Sequence, residues 1–154
     1  MTTAPVGVLC PQVADTQALA GRVAAHLKPG DLLVLAGGLG AGKTAFAAGL
    51  AAGLGVEERV TSPTFVLMRH YTSGFMPLTH VDVYRLGSLH EFDDLDVYEL
   101  SRDGVLVVEW GDAVEGALPE DHLRVEFEVA EDGSRTITFR PAGAWQSRPL
   151  EVLA

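Results

Sequence analysis

Leu19, Val23 and Leu27 recur at every fourth position, with Ala20 and Ala24 beside them. This spacing predicts an amphipathic helix from Asp15 to Leu27 with Asp15 as its N-cap. Pro29-Gly30-Asp31 ends that helix and turns the chain. Leu32 to Ala36 is wholly apolar, the pattern of a short strand buried on both faces. After a glycine-rich stretch, Phe46, Leu50 and Leu54 share one face of a second helix. Gly49 and Gly53 weaken that helix unless another element packs closely against them. Strand-like segments run from Phe65 to Tyr71 and from Leu78 to Tyr84, with the turn Thr72-Ser73-Gly74 between them. Ser88 and Glu91 form a capping box for a helix reaching Leu100, with Leu89, Phe92 and Leu95 on its apolar side. Val105 to Val108 is a further continuous apolar strand. Leu123, Val125, Phe127 and Val129 alternate with polar residues, as Ile137 and Phe139 do after Asp132-Gly133. That pattern predicts a β-hairpin with one wet face. The first 14 residues and those beyond Pro141 are unassigned, apart from a short terminal helix. Buried runs of parallel type around a helix, joined to antiparallel hairpins, predict an α/β mixed sheet.

The 154 residues fit one domain spanning 1–154. Cys10 is the only cysteine, which excludes an internal disulfide and the zinc-ligand spacings. A basic leader followed by an apolar stretch is missing, and no apolar run approaches the ~20 residues needed to span a bilayer. A reducing cytoplasm is the expected setting. The net charge of −10 and the presence of only two lysines, Lys28 and Lys43, argue against tight direct binding of nucleic acid. Any role touching RNA is expected to run through a protein partner.

One of those two lysines lies in the chemistry-bearing segment. Gly37-Gly38-Leu39-Gly40-Ala41-Gly42-Lys43-Thr44 matches G-x-x-x-x-G-K-[ST] at every required position, after a buried strand and before a helix. Glycines let successive backbone N–H groups approach an anion with no Cβ in the way. The helix N-terminus adds its own unpaired N–H groups. Lys43 supplies a charge between the β- and γ-phosphates, and the Thr44 hydroxyl is a magnesium ligand. A second magnesium anchor is expected at the end of a neighbouring strand. Glu109 closes an apolar run, and Asp82 shares a strand face with His80 and Tyr84. Run length favours Glu109 for the metal, leaving Asp82 to position the attacking water or the magnesium shell. Asp93, Asp94 and Asp96 read as a solvated helix face. His26, His70, His90 and His122 lack ligand spacing. The Asn-Lys-x-Asp signature for guanine is absent, so adenine is favoured by elimination.

The ordered segments Gly37–Thr44, Ser62-Pro63-Thr64-Phe65, His80-Val81-Asp82-Val83-Tyr84-Arg85-Leu86 and Val108-Glu109-Trp110 resemble the TsaE (YjeE) family of bacterial ATPases. That family serves the threonylcarbamoyladenosine modification of transfer RNA. The resemblance implies a P-loop NTPase-like sheet with parallel central strands flanked by antiparallel ones. It implies ATP and Mg2+ as ligands, with Thr44 and Glu109 on the metal and Asp82 needed for hydrolysis. Nucleotide contacts are implied for Gly38, Leu39, Gly40, Ala41, Gly42, Lys43, Thr44, Ala45 and Glu109. Thr16 matches a threonine near the base, and Arg135 an arginine that reaches the nucleotide. Ser62–Phe65 corresponds to a switch-like loop. The implied partners are the proteins TsaB and TsaD, with hydrolysis resetting their complex between rounds of transfer. Two positions depart from the family: Gly38 often carries Asp there, and Ala45 a second threonine.

Phosphoryl transfer asks for positioning and charge more than covalent chemistry. With no assured arginine finger in the chain, hydrolysis is expected to be slow alone and faster with partners. Arg69 and Arg85 are the arginines weighed for that role. A small-molecule P-loop kinase is the alternative, though the scattered arginines do not advertise an acceptor site. A non-hydrolysing nucleotide-dependent binding module is the second rival.

Overall fold

In the computed structural model, residues 4–38, 40–60, 68–83, 97–109, 116 and 118–153 are described. Seven strands form one sheet: β1 (Val6–Cys10), β2 (Leu32–Ala36), β3 (Met68–Tyr71), β4 (Leu78–Asp82), β5 (Val105–Glu109), β6 (His122–Val129) and β7 (Arg135–Ala142). The helices are α1 (Val13–Ala24), α2 (Lys43–Gly53) and the short α3 (Val97–Ser101). The spatial order is β1-β7-β6-β2-β5-β4-β3. β2 pairs in parallel with both β5 and β6, and β4 with β5, whereas β1–β7, β6–β7 and β3–β4 are antiparallel. The sheet is thus mixed, parallel at its centre and antiparallel at its edges, as the apolar runs and hairpins predict.

All five residues of β2, β4 and β5 are buried. Strands covered on both faces must find every backbone partner inside the sheet, which is why these runs are apolar and central. On one face, Leu33, Leu35, Val107 and Val125 pack with Leu19, Val23, Phe46 and Leu50 of the two long helices. On the other, Leu32, Val34, Val81, Leu106 and Val108 make a second cluster. Phe46 meets Phe127 edge to face at 5.6 Å between ring centroids, tying α2 to β6.

Several boundaries differ from the sequence reading. Asp15 is not the N-cap: α1 opens at Val13, and the Asp15 carboxylate reaches back to accept the Gln12 N–H at 2.8 Å. That is the third helical position, where a carboxylate also meets the positive end of the helix dipole. The helix ends at Ala24, and the His26 and Leu27 N–H groups bond back three residues to Val23 and Ala24. β1, which the sequence pattern does not assign, pairs along β7 and buries Cys10. The tail beyond Pro141 completes β7 and then makes two 3-10 turns, Gly143–Ser147 and Leu150–Leu153. There Arg148 stacks on Trp145, its carbon 3.5 Å from the ring centroid, and pairs with Asp31 at 2.9 Å. Of the predicted Ser88–Leu100 helix, only the end from Val97 falls within the described residues. Phe65–Leu67, Tyr84, Asp93, Asp94 and Asp96 lie outside them.

The helix glycines have a packing cause. A Cβ at Gly49 would stand 2.5 Å from the Gln17 carbonyl oxygen, and one at Gly53 would stand 2.7 Å from the Ala24 Cβ. Helices α1 and α2 therefore cross with almost no side chain between them. Gly21, in α1, has nothing within 4 Å of such a Cβ. Gly49→Ala is expected to cost about 1–3 kcal/mol through overpacking, outweighing its gain in helix propensity. Gly21→Ala should be neutral or stabilising by up to ~1 kcal/mol. Urea-unfolding midpoints of the two variants, compared with the parent, measure both effects.

Candidate phosphate and magnesium site

The glycine-rich loop hangs from the end of β2 and opens α2. Gly40 and Gly42 have φ of +74° and +105°, a left-handed backbone that favours glycine. Gly42 is the N-cap of α2, and the first helical bond runs from the Phe46 N–H to the Gly42 carbonyl at 2.9 Å. The N–H groups of the first turn, through Ala45, thus precede the helical ladder and face the loop end.

Two cations grip the loop through its carbonyls. Lys43 is buried, and its Nζ donates to the carbonyls of Gly37 at 2.7 Å and Gly38 at 2.9 Å. Arg135, at the start of β7, donates from Nε to the Ala41 carbonyl at 3.1 Å and from Nη2 to the Gly40 carbonyl at 3.3 Å. A Cβ at Gly42 would come within 3.0 Å of the Arg135 Nε, so the missing side chain is what admits the arginine.

Sheet register supplies the acidic side. Glu109 stands opposite Leu35 of β2 on one side and Asp82 of β4 on the other. Both carboxylates are buried, with Glu109 only 3% exposed. The Thr44 hydroxyl lies 3.5 Å from Oε1 of Glu109. The other oxygen, Oε2, is 2.6 Å from Nε2 of His80, itself fully buried on β4. Among the described residues no three His, Cys, Asp or Glu side chains form a metal cage. A hydroxyl and a carboxylate oxygen at the mouth of a phosphate loop nevertheless suit magnesium, which keeps waters and phosphates for its other positions.

Thr16 is fully buried, and its hydroxyl makes no hydrogen bond of sound geometry among the described residues. Burial pushes the thiol of Cys10 up, and the Thr16 hydroxyl beside it offsets part of that rise. Cys10 stands opposite Arg135 in register. Leu39, Ser62–Phe65, Arg85, His90 and Trp110 lie outside the described residues. At Gly38 a Cβ would meet nothing within 4 Å, so space there does not require a glycine.

The described site residues therefore gather Gly38, Gly40, Ala41, Gly42, Lys43, Thr44 and Ala45 with Arg135 on the loop. Thr44 meets Glu109 at the end of β5, and Asp82 stands beside Glu109 in register. Sequence reading missed the His80–Glu109 contact. Strand alternation already put His80 and Asp82 on one face, but only the β4–β5 register shows which carboxylate that face meets.

Comparison with known proteins identifies the family. Residues 10–137 match the family profile described as threonylcarbamoyl adenosine biosynthesis protein TsaE. The chain belongs to the TsaE family. It is 45% identical over 129 residues to the tRNA threonylcarbamoyladenosine biosynthesis protein TsaE of Bacillus subtilis, covering 84% of this chain and 81% of that protein. It is also 45% identical over 144 residues to the TsaE protein of Streptomyces coelicolor, covering 88% and 97% of the two chains. The crystal structure of Bacillus subtilis YdiB superposes with a TM-score of 0.81 at 36% identity, covering 99% of this chain and 95% of that one. The phosphate loop, Asp82 and Glu109 all fall inside the matched segment.

Arg135 holds two loop carbonyls, each bond worth about 1 kcal/mol. Arg135→Ala is expected to lower stability by about 1–2 kcal/mol while leaving the fold intact. Amide hydrogen exchange in residues 40–44 should speed up relative to the core strands. Unchanged exchange there would show that the loop holds its shape without the arginine.

Proposed function

We propose that this protein hydrolyses ATP with magnesium and so serves the tRNA threonylcarbamoyladenosine machinery together with TsaB and TsaD. The observation that carries the reading is the meeting of Thr44 and Glu109 at the mouth of a loop whose only lysine is already turned inward. Family membership supplies the tRNA-modification setting, and the resemblance supplies the two partners.

The backbone N–H groups of Gly38 to Ala45 cradle the phosphates, with the α2 N-terminus adding its positive end. Lys43 exchanges the Gly37 and Gly38 carbonyls for phosphate oxygens, a stronger, charge-assisted bond. Thr44 and Glu109 would hold magnesium, which would supply positive charge against the negative charge of the phosphates. Asp82 is buried beside Glu109 in register, and its role is to orient the attacking water. Arg135 braces the loop, and the resemblance supplies nucleotide contacts for both Thr16 and Arg135. Hydrolysis is slow in the isolated chain because no residue described at the site supplies an arginine finger; Arg135 is occupied with loop carbonyls. Partner binding then supplies or orders the missing group.

Phosphate release from ATP should be weak alone and rise with TsaB and TsaD present. Lys43→Ala should abolish nucleotide binding and release together. Asp82→Asn should bind ATP with near-parental affinity but lose turnover by about 10²-fold or more, the scale typical of a lost positioning or proton-accepting group. Partner-independent turnover, or a labelled metabolite in place of free phosphate, would refute this reading and favour a kinase.

A further inference from the structure

The buried histidine of β4 has a task that the phosphate chemistry does not itself explain. His80 has no exposed surface, and its Nδ1 has no hydrogen-bond partner among the described residues. Its polar contact there is Nε2 to Oε2 of Glu109 at 2.6 Å. Facing a magnesium-binding carboxylate, which only accepts, Nε2 would be the nitrogen that donates in this contact. Burying an imidazole with one nitrogen unpaired costs free energy, and a fully buried strand position would be filled more stably by an apolar side chain. The remaining contact is therefore informative.

A carboxylate at the end of a strand can rotate about its side-chain bonds and present either oxygen, or both, to a cation. Here one oxygen is taken by His80, and the other is the one facing Thr44 at 3.5 Å. The two contacts come from different elements, β4 and α2, and approach the carboxylate on opposite oxygens.

We infer that His80 is a positioning residue for magnesium: it fixes the orientation of Glu109 so that Oε1 alone faces the cation beside Thr44. This rests on the reading of Glu109 as a magnesium ligand. Outer-sphere hydrogen bonds of this kind orient ligands, and their loss typically weakens metal affinity about 10–100-fold. His80 touches neither nucleotide nor cation. Its removal acts on the magnesium requirement and spares the magnesium-independent part of nucleotide binding, which belongs to the loop amides and Lys43.

The test exploits side-chain reach. Glutamine places an amide nitrogen near the position of Nε2 and can still donate to Oε2; asparagine is shorter and places it near Nδ1. Both are polar and of similar size to histidine. Fluorescent ADP binding to the full-length protein is titrated with magnesium for the parent, His80→Gln, His80→Asn and Glu109→Ala. Affinity in EDTA serves as the control, and thermal unfolding confirms that each variant is folded. The expected result is a magnesium midpoint raised about 10-fold or more in His80→Asn and restored close to the parent in His80→Gln, with EDTA affinities alike. Equal midpoints for His80→Asn and the parent, with Glu109→Ala raised, would overturn the positioning role alone. An unchanged midpoint in Glu109→Ala as well would overturn the metal reading on which it stands. Equal defects in the Gln and Asn variants would show that His80 acts through packing and not through its bond to Oε2.

Discussion

The structure depends on one strand having nowhere to hide its backbone but the sheet. β2 is covered on both faces and paired in parallel on both edges. Its N–H and C=O groups are all spoken for until Ala36, where the chain must leave the sheet. Residues 37–42 are glycine at every position except Leu39 and Ala41, so the backbone emerges at the centre of the molecule with few side chains in the way. Because its neighbours run parallel, the carboxyl ends of β2, β5 and β4 come out side by side. That is the crevice in which open α/β sheets bind ligands, and it is why Glu109 and Asp82 stand next to the loop.

The loop's shape is held by charge before any phosphate arrives. Lys43 from within and Arg135 from without engage four carbonyls between Gly37 and Ala41. Aligning a carbonyl outward tends to turn the next N–H inward, so the two cations help prepare the amides for an anion. In the proposed function, phosphate binding would release Lys43 from its carbonyls and leave Arg135 in place, so that one cation stands in for the ligand and the other braces the loop. Helix α2 inherits its position from the other side of the same constraint. Its glycines let α1 approach to backbone contact, and the pair clamps the loop's downstream end onto the sheet.

Acidic residues at the strand ends would repel one another if nothing balanced them. The oxygens of Glu109 are divided between a buried imidazole and a threonine hydroxyl, and Asp82 is beside it. In the function proposed above, a divalent cation would balance the remaining charge and so couple magnesium to the same register that builds the sheet. Function and fold draw here on the same backbone pairing.

The sequence by itself determined what is local. The spacing of Gly37, Gly42, Lys43 and Thr44 names a phosphate loop because the backbone geometry of such a loop tolerates few other residues. Apolar runs named β2 and β5, since a strand buried on both faces has no polar positions to show. Asp15 was placed near the start of α1 but at the wrong capping position, because a carboxylate at the cap and one three residues later leave nearly the same pattern. β1 left little trace, since two of its five residues are exposed and its partner β7 is far away in sequence. Only the tertiary structure decided what lies across the sheet: that Glu109 sits between Leu35 and Asp82, that Arg135 braces Gly40 and Ala41, and that His80 meets Oε2. Those contacts join residues separated by 27 to 95 positions. Register between strands, set by the packing of the whole core, is not written in any one segment.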